Sequence, residues 1–215
     1  MKLANKYIVL FLASVLSLTS CSDDFLQKDY LTAVSAATFW QNESDALRGL
    51  AACYDGLQSQ WLYNGGPWNC GPLNMDALTD NGGHFNWSGW MAGYDVCNGT
   101  HTASSWLIGS YWNACYEVIK RCNVLIKNID KVPMSESQIT LFKAEALSIR
   151  ALMYINLTMT YNDVPYLTEP LSITDANYPK TDRATIVNSV ITDLEGVVDA
   201  LPTTADRGRM TKGAA

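Results

Sequence analysis

The chain has 215 residues, 48% of them hydrophobic, which is enough for at least one domain with a buried core. Its 21 acidic and 15 basic side chains give a net charge of −6. Nucleic acid is not expected as a partner, because phosphate binding needs a basic surface that this composition does not supply.

The N-terminus predicts export and lipidation. Lys2 and Lys6 precede a short apolar run over residues 7–16. As a helix this run rises only about 15 Å, half a bilayer core, which is typical of a signal peptide over residues 1–20 and not of a membrane span. Cys21 follows directly behind a small residue, and this arrangement resembles the bacterial lipobox, whose cysteine becomes the acylated first residue. The alternative is an ordinary secretory signal with an incidental cysteine.

Residues 21–37 are polar and weakly patterned, and they predict a lipidated tether. Ser22, Asp23 and Asp24 resemble the surface-export signal of Bacteroidota lipoproteins, although acidic residues also suit a solvated tether. Removal of the signal peptide takes away two lysines and leaves 13 basic against 21 acidic residues, a net charge of −8. No later segment has the length and apolarity of a transmembrane helix.

The cysteines do not form a recognisable disulfide or metal framework. Cys21 is assigned to lipid, which leaves an odd five. Cys115 and Cys122 are seven residues apart in a helical pattern, about 10.5 Å along the axis, so they cannot bridge each other and are expected as buried free thiols. Cys70 and Cys97 could close a loop in an oxidising compartment, but the sequence does not determine the pairing.

The first helical pattern begins at Asn42, which is placed to cap a helix with Asp45 three residues later. Apolar residues then follow at helical spacing: Ala46, Leu47, Leu50, Tyr54 and Leu57. Between residues 65 and 109 the pattern gives way to glycine, asparagine and aromatic residues, which predict long irregular loops.

Helical order returns in a stripe that Pro133 ends. Its members are Trp112, Cys115, Tyr116, Ile119, Asn123, Ile126 and Ile129. Ser135 and Gln138 then have the spacing of a capping box, and residues 141–159 predict a long helix. Small residues at Ala144, Ser148 and Ala151 would let a neighbouring helix approach closely.

Three prolines between residues 162 and 180 interrupt the helical pattern, and a final amphipathic helix follows. Its apolar face comprises Ile186, Val187, Val190, Ile191, Leu194, Val197, Val198 and Leu201, and Pro202 ends it. Strand patterns are scarce. The succession of amphipathic helices predicts a mainly α fold of helical-repeat type.

A set of short strings runs through these helices in a fixed order. They are Phe39-Trp40, Asp45-Ala46 and Tyr54; Trp112, Tyr116, Ile119 and Asn123; Ala144-Glu145-Ala146 and Arg150-Ala151; residues 161–165 (YNDVP) and Glu169-Pro170-Leu171; Asp193-Leu194, Leu201-Pro202 and residues 208–214 (GRMTKGA). Together, behind a lipobox, they resemble the SusD/RagB family of nutrient-binding outer-membrane lipoproteins.

The resemblance implies a mainly α, helical-repeat (TPR-like) scaffold with long irregular aromatic-rich loops. Residues 38–215 would be the N-terminal helical domain of such a protein, incomplete at its C-terminus, since family members are considerably longer. The last apolar stripe would then lack a partner helix. One departure is Asn162, where the family usually has glycine; asparagine is the other residue that best tolerates a left-handed backbone.

The loop region has the composition of a carbohydrate site. Six of the seven tryptophans lie between residues 61 and 112, and this stretch contains no lysine or arginine. Aromatic faces stack on sugar rings and Asn or Asp side chains satisfy hydroxyls, whereas anionic ligands would find no cation. We expect part of a neutral-glycan site here, with candidates Asp80, Asn81, Trp87, Trp90, Tyr94 and Asn98.

The alternative is that these aromatic residues anchor a long loop to the helices, and we assign Trp40 and Trp112 to structure. The two histidines, His84 and His101, have no metal-ligand spacing. No catalytic residue, resident metal or cofactor is expected.

Two other uses of the acidic loop residues have less support. Asp76 and Asp80, at i and i+4, could mimic the carboxylate pair of a glycosidase, but the following Asn81-Gly82-Gly83 favours a turn. Their oxygens, with that of Asn81, could also hold Ca²⁺, although such loop clusters are usually only solvated.

By resemblance, the protein is expected to bind a glycan or another nutrient at the cell surface without catalysis and to deliver it to a TonB-dependent transporter of the SusC type. One alternative is a surface glycoside hydrolase. The other is a structural or adhesive lipoprotein whose loop tryptophans are fully buried.

Overall fold

The computed structural model describes residues 39–65, 75–76, 78–83, 93–171 and 177–215. The predicted signal peptide, Cys21 and the tether therefore lie outside the described residues. Residues Trp40–Ala215 form one compact unit. Its helices are α1 (Glu43–Leu57), α2 (Tyr94–Cys97), α3 (Trp106–Asn128), α4 (Glu136–Tyr161) and α5 (Arg183–Val197). Short 3-10 turns, Ile129–Lys131 and Val198–Ala200, follow α3 and α5.

The prediction of a mainly α fold is confirmed. Over the described ranges, extended pairing is limited to one antiparallel bridge between Val164 and Thr181. No helix in these ranges is both long and apolar enough to cross a membrane.

Helix α4 lies at the centre of the bundle. It packs against α3 and α5 along its length, and α1 packs against both α3 and α4. The small residues Ala144, Ser148 and Ala151 are all buried on α4, as their spacing predicted. Because α4 is covered from several sides, its buried residues do not form a single stripe.

Side chains cap three of the helices. Asn42 Oδ1 accepts a hydrogen bond from the Asp45 amide at 3.1 Å, and Ser135 Oγ accepts one from the Gln138 amide at 3.3 Å. Both caps were predicted from the sequence, whereas the third was not: Asp182 Oδ1 accepts from the Thr185 amide at 2.9 Å and caps α5.

One predicted helix boundary was wrong. Helix α3 begins at Trp106, inside the region predicted to be irregular, whereas α4 begins at Glu136, directly after its predicted cap Ser135. Gly109 and the aromatic residues before Trp112 weakened the helical pattern, but a glycine in the first turns of a 23-residue helix is tolerated. The short helix α2 also lies within the predicted loop region.

Side chains from α3 and α4 hold the chain that follows α4. Asn162 ends the helix with φ of +65°, the positive value for which asparagine is suited. Tyr116 Oη then donates to the Pro165 carbonyl at 2.7 Å, and Asn123 Nδ2 donates to the Leu167 carbonyl at 2.9 Å. Tyr154 of α4 accepts from the Leu167 amide at 2.6 Å, so the proline-containing segment is fixed against both helices.

Only part of the apolar stripe of α5 is buried by packing against the bundle. Ile186, Val190 and, beyond the helix, Leu201 are buried, whereas Val187 and Leu194 are half-buried and Ile191 is 46% exposed. The eight residues were predicted to form one apolar face that would lack a partner helix, and only part of that face is buried. Among the described helices, α4 packs against α5 and covers part of its width.

Candidate functional site

One end of the bundle carries exposed aromatic side chains. The turn after α1 contributes Trp61 and Tyr63, the start of α3 contributes Trp106, and the last turns of α4 contribute Asn156 and Met159. We call these five residues the aromatic end. The start of α3 and the end of α4 are joined here, because Tyr161 Oη donates to the Ile108 carbonyl at 2.6 Å.

The rings of Trp61 and Trp106 pack edge to face. Their centroids are 4.6 Å apart with an interplanar angle of 74°, a favourable geometry for an aromatic pair. Trp61 is half-buried against the core, whereas Trp106 is 58% exposed. The alternative that the aromatic residues only anchor the loop to the helices therefore fits Trp61 but not Trp106. The exposed indole of Trp106 is available to a ligand.

Tyr63 and Asn156 form the second half of the aromatic end. Asn156 Nδ2 donates to Tyr63 Oη at 2.6 Å, across 93 residues of sequence. Tyr63 is 43% exposed, and Met159, one turn from Asn156, is 70% exposed. The result is a surface of aromatic, thioether and amide groups.

The helices around the aromatic end are uncharged. Residues 106–116 of α3 and residues 152–161 of α4 contain no Asp, Glu, Lys or Arg. A charged ligand would find no counter-ion on these segments. An uncharged ligand needs none, so its binding leaves no buried charge unpaired.

The structure covers four of the six predicted site residues, in two separate pairs. Asp80 and Asn81 are exposed in a turn in which the Asn81 amide donates to Thr79 Oγ1 at 3.2 Å. Tyr94 and Asn98 share one helical turn around α2. Within the described residues, no hydrogen bond or ring contact joins the two pairs. Trp87 and Trp90 lie outside the described residues.

Asn98 has a local structural role. Its Oδ1 accepts from the Thr100 amide at 3.1 Å and from Thr100 Oγ1 at 2.6 Å, which stabilises the turn after α2. Its amide nitrogen group still faces solvent, since the residue is exposed.

Asp76 has helical backbone, and Asp80 lies on the turn that follows it. Both are exposed, and Thr79 donates to the Asp76 carbonyl from its amide, at 3.1 Å, and from its hydroxyl, at 2.7 Å. The interpretation of this segment as a turn is confirmed. In the part of the chain that the structure covers, no group of three or more His, Cys, Asp or Glu is arranged to hold a metal ion.

A polar groove of about 480 Å³ lies beside the aromatic end, between the end of α1 and α3. The basic residue among the described lining, Arg121, is already paired: Nη1 lies 3.0 Å from Asp55 Oδ2 and Nε lies 3.4 Å from Glu117 Oε1. The remaining lining includes Gln58, Ser59 and Asn64, which are uncharged hydrogen-bonding groups.

Several residues of the short strings described in the sequence form a buried polar cluster and not a ligand site. Glu145 is 1% exposed and accepts hydrogen bonds from Tyr54 Oη and from Arg209 Nε, the latter at 2.7 Å. The Met210 amide donates to Tyr54 Oη at 2.8 Å. This cluster binds the C-terminal segment to α1 and α4. Burial and the contact with Glu145 raise the pKa of Tyr54, which keeps its hydroxyl protonated as a donor.

The remaining structural assignments are confirmed. Trp40 packs on the core, where a Cβ on Gly49 would lie 2.7 Å from its ring. Trp112 contacts the rings of Tyr116 and Tyr161 at centroid distances of 4.9 and 5.0 Å. Cys115 and Cys122 are buried free thiols. Cys97 is also a free thiol, and Cys70 lies outside the described residues.

The fold is that of a helical-repeat protein of the TPR-like class. The family model described as SusD-like, "starch-binding associating with outer membrane", matches residues 29–215. The chain therefore belongs to the SusD-like family.

Relatives and solved structures are similar along the whole described region. A SusD-like protein of Formosa agariphila is 29% identical over 100% of this chain. A laminarin-binding SusD-like protein is 32% identical with a TM-score of 0.72, and the match covers 81% of this chain and 38% of that one. Surface glycan-binding protein A from Bacteroides uniformis is 26% identical with a TM-score of 0.66, over 80% of this chain and 40% of that one.

The chain spans about two fifths of the length of these proteins: the match covers 42% of the Formosa agariphila relative. The family resemblance inferred from the short strings is confirmed.

Proposed function

We propose that this protein binds an uncharged glycan at the cell surface without catalysis. The observation that carries the proposal is the exposed Trp106, supported edge-on by Trp61 in a family described as starch-binding. A rigid indole loses little conformational entropy when a ring stacks on it, so the platform is prepared before the ligand arrives.

Two features support a neutral oligosaccharide over an acidic one. The aromatic end has no charged residue on its helical segments, and Arg121 in the neighbouring groove is paired with Asp55 and Glu117. Tyr63, Asn156 and the groove amides supply the donors and acceptors that sugar hydroxyls require. Laminarin is a suitable first probe, because one similar SusD-like protein is described as laminarin-binding.

The second part of the proposed site is the loop region with Asp80, Asn81, Trp87, Trp90, Tyr94 and Asn98. Trp61, Tyr63 and Trp106 of the aromatic end lie in the same segment as this loop region, which carries six tryptophans and no basic residue. We test the loop with Trp87→Ala and Trp90→Ala in the full-length protein, and with Trp112→Phe as a control in a core position. Calorimetric titration with laminarin oligosaccharides should show weaker binding for the first two variants only. Unchanged affinity would remove both loop tryptophans from the site.

A binding role without catalysis agrees with the acidic residues that the structure describes. Glu145 is paired with Arg209 and buried, Asp55 and Glu117 in the groove both contact Arg121, and Asp76 and Asp80 are exposed. Glycoside hydrolysis needs two carboxyl groups facing one bond across a cleft. Incubation of the full-length protein with laminarin should leave the chain-length distribution unchanged. Release of shorter products that persists in a tag-free, repurified preparation would favour the hydrolase.

We further propose that Cys21 is acylated and holds the protein on the outer membrane, where it delivers its ligand to a TonB-dependent transporter of the SusC type. The support is the lipobox-like N-terminus and a family described as associating with the outer membrane. Mass spectrometry of the mature N-terminus should find an acylated Cys21. Purification in mild detergent should recover the transporter, and its absence would contradict the partner.

A further inference from the structure

Two cysteine side chains meet where α1 packs on α3. Cys53 of α1 and Cys122 of α3 are both 0% exposed on facing helices, and the neighbouring Cys53 side chain is the main cause of the raised pKa of the Cys122 thiol. The Cys53 thiol also donates to the Gly49 carbonyl at 3.4 Å. Both cysteines are free thiols in this structure.

The two helices face each other in an antiparallel register. A Cβ on Gly56 would lie 2.7 Å from Val118 Cγ2, and a Cβ on Gly49 would lie 3.6 Å from Leu125 Cδ1. Positions 49 to 56 of α1 therefore run opposite positions 125 to 118 of α3. The two cysteines face each other midway between these contacts.

The glycines bring the two backbones close together at this point. A disulfide requires Cα atoms about 4.4–6.8 Å apart, and facing positions of closely packed helices reach this separation, because each Cα lies about 2.3 Å from its helix axis. Gly56 has no side chain to separate the helices, so the two backbones approach closely beside the cysteines. Such an approach is not required for two buried thiols that only fill space.

We propose that Cys53 and Cys122 form a disulfide that joins α1 to α3 when the chain folds in an oxidising compartment. Each thiol gives up its proton, the two sulfurs bond, and the two electrons pass to a disulfide oxidant that leaves as two thiols. In the cell this requires the export proposed above. The chemistry itself requires only the folding chain and the oxidant.

The bond must form while the helices assemble. In the finished fold both sulfurs are inaccessible, and the contact with Cys53 together with burial raises the pKa of the Cys122 thiol, so little reactive thiolate is present. Once formed, the bond is protected from reductants for the same reason. It closes a loop of about 70 residues, which restricts the unfolded chain strongly.

The test is refolding of the full-length protein in a mixture of reduced and oxidised glutathione. Free thiols are then blocked with N-ethylmaleimide in denaturant, and the protein is digested with trypsin and chymotrypsin. Trypsin releases Cys122 within residues 122–127, and chymotrypsin cleavage after Tyr54 separates Cys53 from Cys70. We expect a peptide that joins Cys53 to Cys122, while Cys115, equally buried on α3, carries the blocking group.

A second measurement tests whether the bond stabilises the fold. Reductant added during refolding should lower the thermal midpoint by roughly 5–15 °C. Cys115→Ala should retain this shift, and Cys53→Ala should abolish it. Complete blocking of Cys122, or its linkage to any cysteine other than Cys53, would overturn the proposal. Because glutathione refolding does not depend on export, this result is independent of the membrane anchor and of glycan binding.

Discussion

At the scale of single residues, charged groups inside the bundle have structural roles. Arg150 is 6% exposed and lies between two partners: Nη1 donates to Asn123 Oδ1 and Nη2 to Asp193 Oδ2, both at 2.8 Å. Asn123 Nδ2 in turn donates to the Leu167 carbonyl at 2.9 Å. One guanidinium therefore links α3, α4, α5 and the chain that follows α4.

Replacement of this guanidinium should destabilise the fold strongly. Arg150→Met leaves Asn123 and the partly buried Asp193 without their donor, and we expect the free energy of unfolding to fall by about 3 kcal/mol. Arg48→Met is the control, because Arg48 is 66% exposed and pairs with Asp45 at 3.4 Å, so its loss should cost less than about 1 kcal/mol. Urea denaturation followed by circular dichroism measures both. Equal losses would contradict the assigned role.

Two helical glycines should respond to alanine in opposite directions. A Cβ on Gly56 would meet Val118 Cγ2 at 2.7 Å, and the resulting strain should exceed the gain in helix propensity, for a net loss of about 1 kcal/mol. Gly109 has nothing within 4 Å of its Cβ position, so alanine there should stabilise α3 by up to about 1 kcal/mol. Thermal denaturation of the two variants measures both changes in stability. A stabilised Gly56→Ala protein would disprove the close approach of α1 and α3.

At the scale of secondary-structure elements, the sequence predicted those features correctly that depend only on residues close together in the chain. The caps at Asn42 and Ser135 could be predicted because a capping side chain bonds to an amide three residues later. The start of α3 could not, because its first turns contain Gly109 and are stabilised by packing, for example of Trp106 on Trp61. The width of the buried face on α5 depends on α4, which periodicity alone does not reveal.

The same distinction applies to the candidate site. The tryptophan-rich, cation-free segment was visible in the composition. Asn156 was not, because it joins Tyr63 from 93 residues away. The exposure of Trp106 follows from its place at the beginning of a helix at one end of the bundle.

The cap of α5 should make stability depend on pH. Hydrogen bonds from Thr185 hold the pKa of Asp182 below its ordinary value of 3.8. Its contribution is therefore fully present above that value and is lost as the pH falls through the lower native pKa. Asp182→Asn keeps an acceptor that does not titrate. We expect the difference in unfolding free energy between wild type and Asp182→Asn to decrease from about pH 5 to pH 2, measured by urea denaturation; a constant difference would contradict the cap.

At the scale of the whole molecule, the polar clusters and the aromatic residues occupy different places. Several residues of the short strings lie in the buried clusters around Glu145 and Arg150, which bind segments to the bundle. The exposed aromatic residues lie at one end, where the turn after α1 and the termini of α3 and α4 meet. A buried framework of this kind can carry different ligand contacts without a change of fold.

The most direct measurement is calorimetric titration of the full-length protein and its Trp106→Ala variant with laminarin oligosaccharides. Trp106 is 58% exposed on the aromatic end, and its removal should weaken binding by about tenfold or more, since a central stacking contact contributes more than about 1.4 kcal/mol. Leu47→Ala, which removes a 47% exposed side chain from α1, should bind like wild type. Equal affinity for wild type and Trp106→Ala would contradict a glycan site at the aromatic end.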